Sequence, residues 1–252
     1  MFTQAIVRNP GPDCGRGLTT ANLGPPSYPR LLAQHAAYVA ALRESGLDVT
    51  VLEAAPGFPD AYFVEDPAVV TPGAAVIANS GAPTRRGEGA SLEPVLARFR
   101  PIARIVPPAT LDGGDVLEAG GRWFIGLSER TNAAGAEALG RILEAHGQAW
   151  TAIAVGAGLH LKSSVNALGG KALVLTEALA REAAFAGFDR IVLDPGDEYA
   201  ANTLWVNGRL LMPAGFPGAR RKLGAAGLPI RELDVSEVRK MDGGLTCLSL
   251  RF

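Results

Sequence analysis

Apolar and polar positions along this chain come in short blocks whose period keeps changing. "QAIVRNP" and "DVTVLEA" read as strands. Between them "SYPRLLAQHAAYVAALRESG" holds a helical spacing, with Ser27 placed to cap its start and Gly46 to stop it. Further helices are predicted within "SLEPVLARF", "RTNAAGAEALGRILEAHG" and "TEALAREAAFAGF". Four other stretches are pairs of short apolar runs joined by a turn signal. These are "VEDPAVVTPGAAVIANS" with Pro-Gly, "LDGGDVLEAGGRWFIGLS" and "LHLKSSVNALGGKALVLT" with Gly-Gly, and "ANTLWVNGRLLMPAG" with Asn-Gly, the strongest short hairpin signal. "LTCLSLRF" reads as a strand without a second half, and the N-terminal "TQAIVRN" is its natural partner.

Each hairpin has a polar or reactive residue at its mouth: Asp66, Asp112, His160, Asn202 and, in the half hairpin, Cys247. Their successive spacings are 46, 48, 42 and 45 residues. A near-constant period with hairpins at fixed phase predicts radial repetition, and a helix in most periods makes the unit ββαβ. The expected fold is therefore α/β, a closed five-unit propeller forming one domain over residues 1–252. In a ring, equivalent positions of different units meet at the centre, so the five mouth residues should converge.

Composition narrows the function classes. Lys and Arg number 24 against 25 Asp and Glu, so no basic excess points to nucleic acid and no charge run to a membrane surface. No apolar stretch is long enough to span a bilayer. The opening "MFTQAIVRNP" lacks a charged segment followed by an apolar run, so no secretory leader is expected. Two cysteines make no disulfide framework, which predicts a reducing, cytoplasmic setting.

The chemistry-bearing residues each admit a bland alternative. Cys247 is either a small buried hydrophobe or a nucleophile that needs a neighbouring cation or base. His160 is either a satisfied core histidine or an acid–base group, whereas His35 and His146 lie on predicted helices as ordinary packing or surface residues. Asp112 and Asp115 share one turn, and Asp115 suits a structural role. No C-x-x-C or H-x-x-x-H spacing supports a metal. Asp60, Glu65 and Asp66 crowd into "FPDAYFVEDPAVV". Buried carboxylates need a cation, supplied either by an internal salt bridge or by a guanidinium-bearing substrate. Phe63, two residues before Glu65, could offer apolar surface to substituents on such a substrate or pack in the core.

Five motifs in order, "FVEDPAVV", "LDGGDVL", "GLSERTN", "GLHLKS" and "MDGGLTCLS", resemble the dimethylarginine dimethylaminohydrolase family, within the amidinotransferase and deiminase superfamily of five-unit pentein propellers. The resemblance implies hydrolysis of Nω-methylated arginines to citrulline and an amine, with no cofactor and no metal. It implies Cys247 as nucleophile, His160 as general acid then base, and Asp112 as the carboxylate orienting the histidine. It implies that Asp66 and its neighbour Glu65 hold the guanidinium, with Asp242 near the substrate nitrogens and Asp60 at the α-amino group. Arg85, or its neighbour Arg86, and Arg130 would take the α-carboxylate. "DCGRGLTTANLG" resembles a lid, with the Leu18 carbonyl facing the amino-acid end and Cys14 a free, non-catalytic thiol. The implied partner is a small molecule, not a nucleic acid or membrane, and a homodimer is left open. Two other readings stay open: a hydrolase of arginine or another guanidine that releases ammonia, and a catalytically silent guanidinium-binding module.

Overall fold

The computed structural model describes residues 1–156 and 160–252. The first residues of the "GLHLKS" motif and the end of the apolar run before it fall at 157–159, outside the described residues. Strand β1 (Gln4–Arg8), helix α1 (Tyr28–Glu44) and strand β2 (Asp48–Leu52) open the chain. Next come β3 (Ala68–Val70), β4 (Ala75–Ile77), α2 (Glu93–Leu96) and β5 (Ile102–Arg104). They are followed by β6 (Val116–Ala119), β7 (Arg122–Leu127), α3 (Ala133–Ala145) and β8 (Ala149–Ala154). A fourth group is β9 (Val165–Ala167), β10 (Ala172–Leu175) and β11 (Asp189–Val192). The chain then forms β12 (Leu204–Val206), β13 (Arg209–Pro213), α4 (Pro217–Ala225), β14 (Ile230–Leu233), α5 (Ser236–Arg239) and β15 (Leu250–Arg251).

These strands make five three-stranded sheets of one design. In four of them, the middle strand runs antiparallel to the first through a tight hairpin and parallel to the third through a crossover. The fifth sheet is shared between the ends of the chain. β15 pairs antiparallel with β1 at Ala5↔Arg251 and Ile6↔Leu250, and β1 pairs in parallel with β2. The fold is thus the five-unit ββαβ pentein propeller, and the half hairpin does find its partner at the N-terminus.

The turns show why the hairpins repeat. Gly120–Gly121, Gly169–Gly170 and Asn207–Gly208 all hold positive φ at both central positions, from 47° to 88°. That geometry matches the right-handed twist of the flanking strands and is open chiefly to Gly and Asn. Apolar side chains gather in five clusters, each spanning the seam between adjacent sheets. The core is accordingly a ring around the axis.

Three elements differ from expectation. "TEALAREAAFAGF" is not a helix but two 3₁₀ turns, Glu177–Leu179 and Ala183–Phe185. Its large buried anchors, Leu179 and Phe185, are six residues apart, about 240° around a continuous helix. Breaking at Glu182, whose carboxylate caps the Ala184 amide at 3.0 Å, lets both anchors enter one cluster. The helix α4 was not expected: "PGARRKLGA" buries only Ala219 and Leu223, too few positions to set a period. Finally, Cys247 lies not on a strand but on a 3₁₀ turn, Thr246–Leu248, just before β15. The same feature recurs around the ring, with 3₁₀ turns Gly113–Asp115 and Leu161–Ser163 directly after Asp112 and His160, and Glu198–Ala201 ending just before Asn202.

Candidate active site

Each mouth turn alternates its side chains across a thin wall. Glu65, Lys162, Thr203, Thr246 and the backbone of Gly113 line an open cavity of about 870 Å³ among the first strands and the hairpin tips. Their neighbours Asp66, Asp112, Asn202 and Cys247, with His160 two residues from Lys162, line the opposite side.

On that side a charged cluster is almost fully buried. Asp112 is fully buried, and its Oδ2 lies 3.2 Å from His160 Nε2 and 3.5 Å from Arg130 Nη1. His160 Nδ1 is 3.9 Å from Asp66 Oδ1, which also accepts the Gly114 amide at 3.1 Å. Gly114 permits this approach, because a Cβ there would come within 2.7 Å of the imidazole and 2.8 Å of the Asp66 carboxylate. Asp115 has the structural role expected of it. It accepts Ser128 Oγ and Thr131 Oγ1, both at 2.7 Å, and the Leu161 amide at 2.9 Å, tying the Arg130 loop to the histidine turn.

Burial and neighbouring charges set the protonation states. Burial alone would hold His160 neutral, but Asp66, Asp112 and Asp115 outweigh it and raise its pKa to about 8. Burial pushes the Asp66 carboxyl up, while His160 and Arg85 pull it down to about 2. Burial, then Glu65 and Asp66, push the Cys247 thiol up to about 12. At neutral pH these shifts favour an imidazolium and a thiol. Asp66, Asp112 and His160 bring ligand-type atoms within 4.8 Å of one another. The donor set nevertheless suits a metal poorly, because both carboxylates already engage guanidinium groups and the imidazole is cationic at neutral pH.

Several expected contacts take another form. The Arg85 guanidinium is buried and bonds to Asp66, to Glu88 (Nη2–Oε2 2.7 Å) and to the carbonyls of Asp60 and Phe63. Most of its donors are thus spent inside the protein, while Arg86 points to the Ser80 carbonyl at 3.2 Å. Arg130, with its loop carbonyl pressed against Gly81, keeps a freer guanidinium. Glu65 accepts from Lys162 (2.6 Å), Thr246 (2.8 Å) and Arg251 (3.2 Å) and closes the rear of the wall.

Phe63 belongs to a core cluster, its ring packed on Tyr62 and against Gly243. Residues around it form turns, not a strand, so strand alternation does not turn it toward the site. Asp60 accepts the Leu18 amide at 3.0 and 3.2 Å, and Gly17 leaves room for that carboxylate. Asp242, at φ +57°, accepts the amide and hydroxyl of Thr20. Both acids therefore anchor the segment expected to be a lid. Cys14 in that segment is a free thiol buried in the core, where burial raises its pKa.

Sequence reasoning missed Glu88, Lys162 and Arg251 as partners of the expected residues. Glu88, three residues after Arg85, and Lys162, inside a quoted motif, carried a signal that charge pairing could have used.

A family model described as arginine deiminase matches residues 54–165. Over 254 residues, covering 100% of each, the chain is 41% identical to the N(G),N(G)-dimethylarginine dimethylaminohydrolase of Pseudomonas aeruginosa. A protein of the same name from Streptomyces coelicolor is 36% identical over 250 residues, 98% of this chain and 96% of that one. The Pseudomonas enzyme has been solved as a cysteine-to-serine mutant complexed with citrulline, and it matches at TM-score 0.98 and 40% identity over 100% of both chains. A dimethylarginine dimethylaminohydrolase variant in adduct with S-methyl-L-thiocitrulline matches at TM-score 0.97, 40% identity and the same coverage. The N-terminal domain of a cyanobacterial arginine dihydrolase shares the fold, at TM-score 0.89 and 19% identity over 100% of this chain and 97% of that one.

Proposed function

Because the chain belongs to the dimethylarginine dimethylaminohydrolase family, we propose that it hydrolyses Nω-methylated arginines to citrulline and dimethylamine or methylamine through a covalent intermediate on Cys247. The observation that carries this reading is the buried His160–Asp112 pair beside Asp66, on the same ring of turns as the cysteine.

A guanidinium is a poor electrophile because its charge is delocalised, so the site must orient it and activate the thiol. A cation bound against Asp66 also lies near the sulfur, and it favours the thiolate that burial and the two acids otherwise suppress. The substrate thereby helps generate its own nucleophile, the thiol proton passing to solvent. Sulfur bonds to the guanidinium carbon and gives a neutral tetrahedral adduct. Protonated His160 donates to the methylated nitrogen, the C–N bond breaks, and the amine leaves. A cationic S-alkylthiouronium remains on Cys247. Neutral His160 then takes a proton from water as the oxygen bonds to carbon. Collapse breaks the C–S bond and restores the thiolate, and the hydroxyl proton ends on the released amine. Asp112 holds the imidazole in place through both proton transfers. Arg130 takes the α-carboxylate, and Asp60 and the Leu18 carbonyl face the amino-acid end once the lid exchanges its own contacts for substrate. The small-molecule partner follows from the same reading, and no helix of the described residues is long and apolar enough to cross a membrane.

Incubation with dimethylarginine, monomethylarginine and arginine, followed by citrulline and amine analysis, tests this function. The expected result is citrulline with dimethylamine or methylamine, and a kcat/KM ratio for dimethylarginine over arginine above one. Ammonia from arginine with a ratio below one would move the chain to the arginine-hydrolysing reading. No citrulline from any of the three would leave a guanidinium-binding module.

A further inference from the structure

The period that places Asp66, Asp112, His160 and Cys247 on one ring has a fifth member, Asn202, which the mechanism above does not use. Asn202 is buried, and its carboxamide reaches the neighbouring unit in two directions. Oδ1 accepts the Thr246 amide at 3.0 Å, and Nδ2 lies 4.0 Å from Cys247 Sγ. Because the oxygen is fixed by a donor, the N–H₂ end is the one turned toward sulfur. The same strip of chain is pinned a second time, since Tyr199 Oη donates to the Gly243 carbonyl at 2.8 Å.

The second glycine of "MDGGLTC" shows how tightly this contact is built. A Cβ on Gly244 would sit 2.3–2.6 Å from Cγ, Oδ1 and Nδ2 of Asn202. Gly244 does not have a left-handed φ, so its lack of a side chain serves the approach of the carboxamide.

We propose that Asn202 sets the reactivity of the nucleophile: it fixes the 3₁₀ turn through Thr246 and donates Nδ2–H to the Cys247 sulfur, an interaction that strengthens as the thiol becomes a thiolate. A hydrogen bond to a charged group is stronger than one to a neutral group, so the contact favours the ionised sulfur selectively. The need for it follows from the charges close to Cys247 on either side of the wall. Glu65 and Asp66 oppose the thiolate. Lys162 and the Gly244 amide favour it, and Lys162 is itself paired to Glu65. Tyr38, Tyr62 and Tyr199, whose hydroxyl pKa values burial raises, surround the same space and bring no cation. Asn202 supplies a neutral donor where a second lysine would compete with the cationic substrate.

This inference rests on Cys247 being the nucleophile of the proposed reaction, and its test is chosen to stand apart from turnover. Asn202→Asp keeps the shape and an acceptor for Thr246 while removing the donor. Gly244→Ala leaves Asn202 chemically intact and pushes its carboxamide away. The readout is the second-order rate of Cys247 alkylation by iodoacetamide at pH 8 without substrate, resolved from Cys14 by peptide mass spectrometry. We expect both variants to alkylate roughly 10- to 100-fold more slowly than wild type. We also expect kcat to fall by a similar factor, with KM changed less than about threefold. If Asn202→Asp does not fold, Gly244→Ala gives the same reading. A folded variant with a lowered melting temperature but a wild-type alkylation rate and kcat makes Asn202 a packing residue and overturns the proposal. Failure of the substrate assignment would show instead as absent citrulline with the alkylation difference intact.

Discussion

Glu65 and Asp66 are adjacent, both acidic and both almost fully buried, yet they belong to different regions of the molecule. Glu65 faces the rear cavity, and Lys162, Thr246 and Arg251 saturate it. Asp66 faces the front, where it binds Arg85 and the Gly114 amide and lies near the His160 ring. The rear cluster spends its charge on holding three units of the ring together. The front cluster keeps an imidazolium and a partly free arginine gathered around Asp112. The same chemical group, one residue further along a turn, changes from mortar to instrument because the turn alternates its side chains across a wall one residue thick.

The most decisive way to sharpen this contrast is at the front. Cys247→Ser should lower kcat by about a thousandfold or more, roughly 4 kcal/mol in the barrier. The melting temperature should stay near wild type, and steady-state citrulline formation with a parallel thermal melt checks both. Wild-type-like turnover would remove the cysteine from the chemistry. At the rear, Glu65→Gln should act on stability, because it leaves Lys162 and Arg251 buried without their counter-charge. The expected loss is about 3–5 kcal/mol in urea unfolding. A variant as stable as wild type but with a collapsed kcat would put Glu65 among the substrate contacts after all.

Within the front cluster the two arginines separate in the same way. Arg130→Ala should raise KM for substrates with an α-carboxylate by roughly 10- to 100-fold. Methylguanidines that lack the carboxylate should be affected much less. Arg85→Ala should show mainly as lost stability, since its guanidinium is spent on Asp66, Glu88 and two carbonyls. Equal losses of both substrate classes in Arg130→Ala would make that residue structural as well.

The smallest effect is that of pH. The folded-state pKa of His160 is raised from 6.5 to about 8, so its protonated form is favoured in the fold. That stabilisation is fully present below pH 6.5 and is lost as pH rises through 8. It amounts to on the order of 2 kcal/mol, shared with Asp66 because the two values describe one interaction. Asp66, lowered from 3.8 to about 2, contributes stability above pH 3.8 that disappears as pH falls through 2. Unfolding free energies between pH 6 and 9 should decline accordingly, and His160→Ala should flatten the decline. Turnover should fall above about pH 8, where the general acid is deprotonated.

The repeat was legible because its signals are local. Gly120–Gly121, Gly169–Gly170 and Asn207–Gly208 require turns that few residues permit, and each begins five to nine residues after its mouth residue. Ring closure by β15 and β1 followed from one unpaired strand at each end. What stayed hidden depends on tertiary direction. "TEALAREAAFAGF" has helical composition, but the seam it covers needs Leu179 and Phe185 on one side. Phe63 read as a site residue by proximity in sequence, yet it packs against Tyr62 and Gly243 in the core. "ED" gave no hint that its two acids part company. Asp242 has the left-handed backbone that marks a turn, and only the folded chain shows the lid threonine hanging on it.

The pairing of β15 with β1 also bears on how the protein acquires its chemistry. These strands lie almost a whole chain apart in sequence, so their pairing is among the most expensive loops to close and belongs late in folding. The Cys247 turn ends two residues before β15, and in the folded chain it contacts Asn202 and the Glu65 segment. A partly folded chain can hold its hairpins and still carry an unplaced thiol. In a refolding experiment, recovery of turnover should therefore lag behind recovery of sheet, and enzymatic activity becomes a clock for the final closing of the ring.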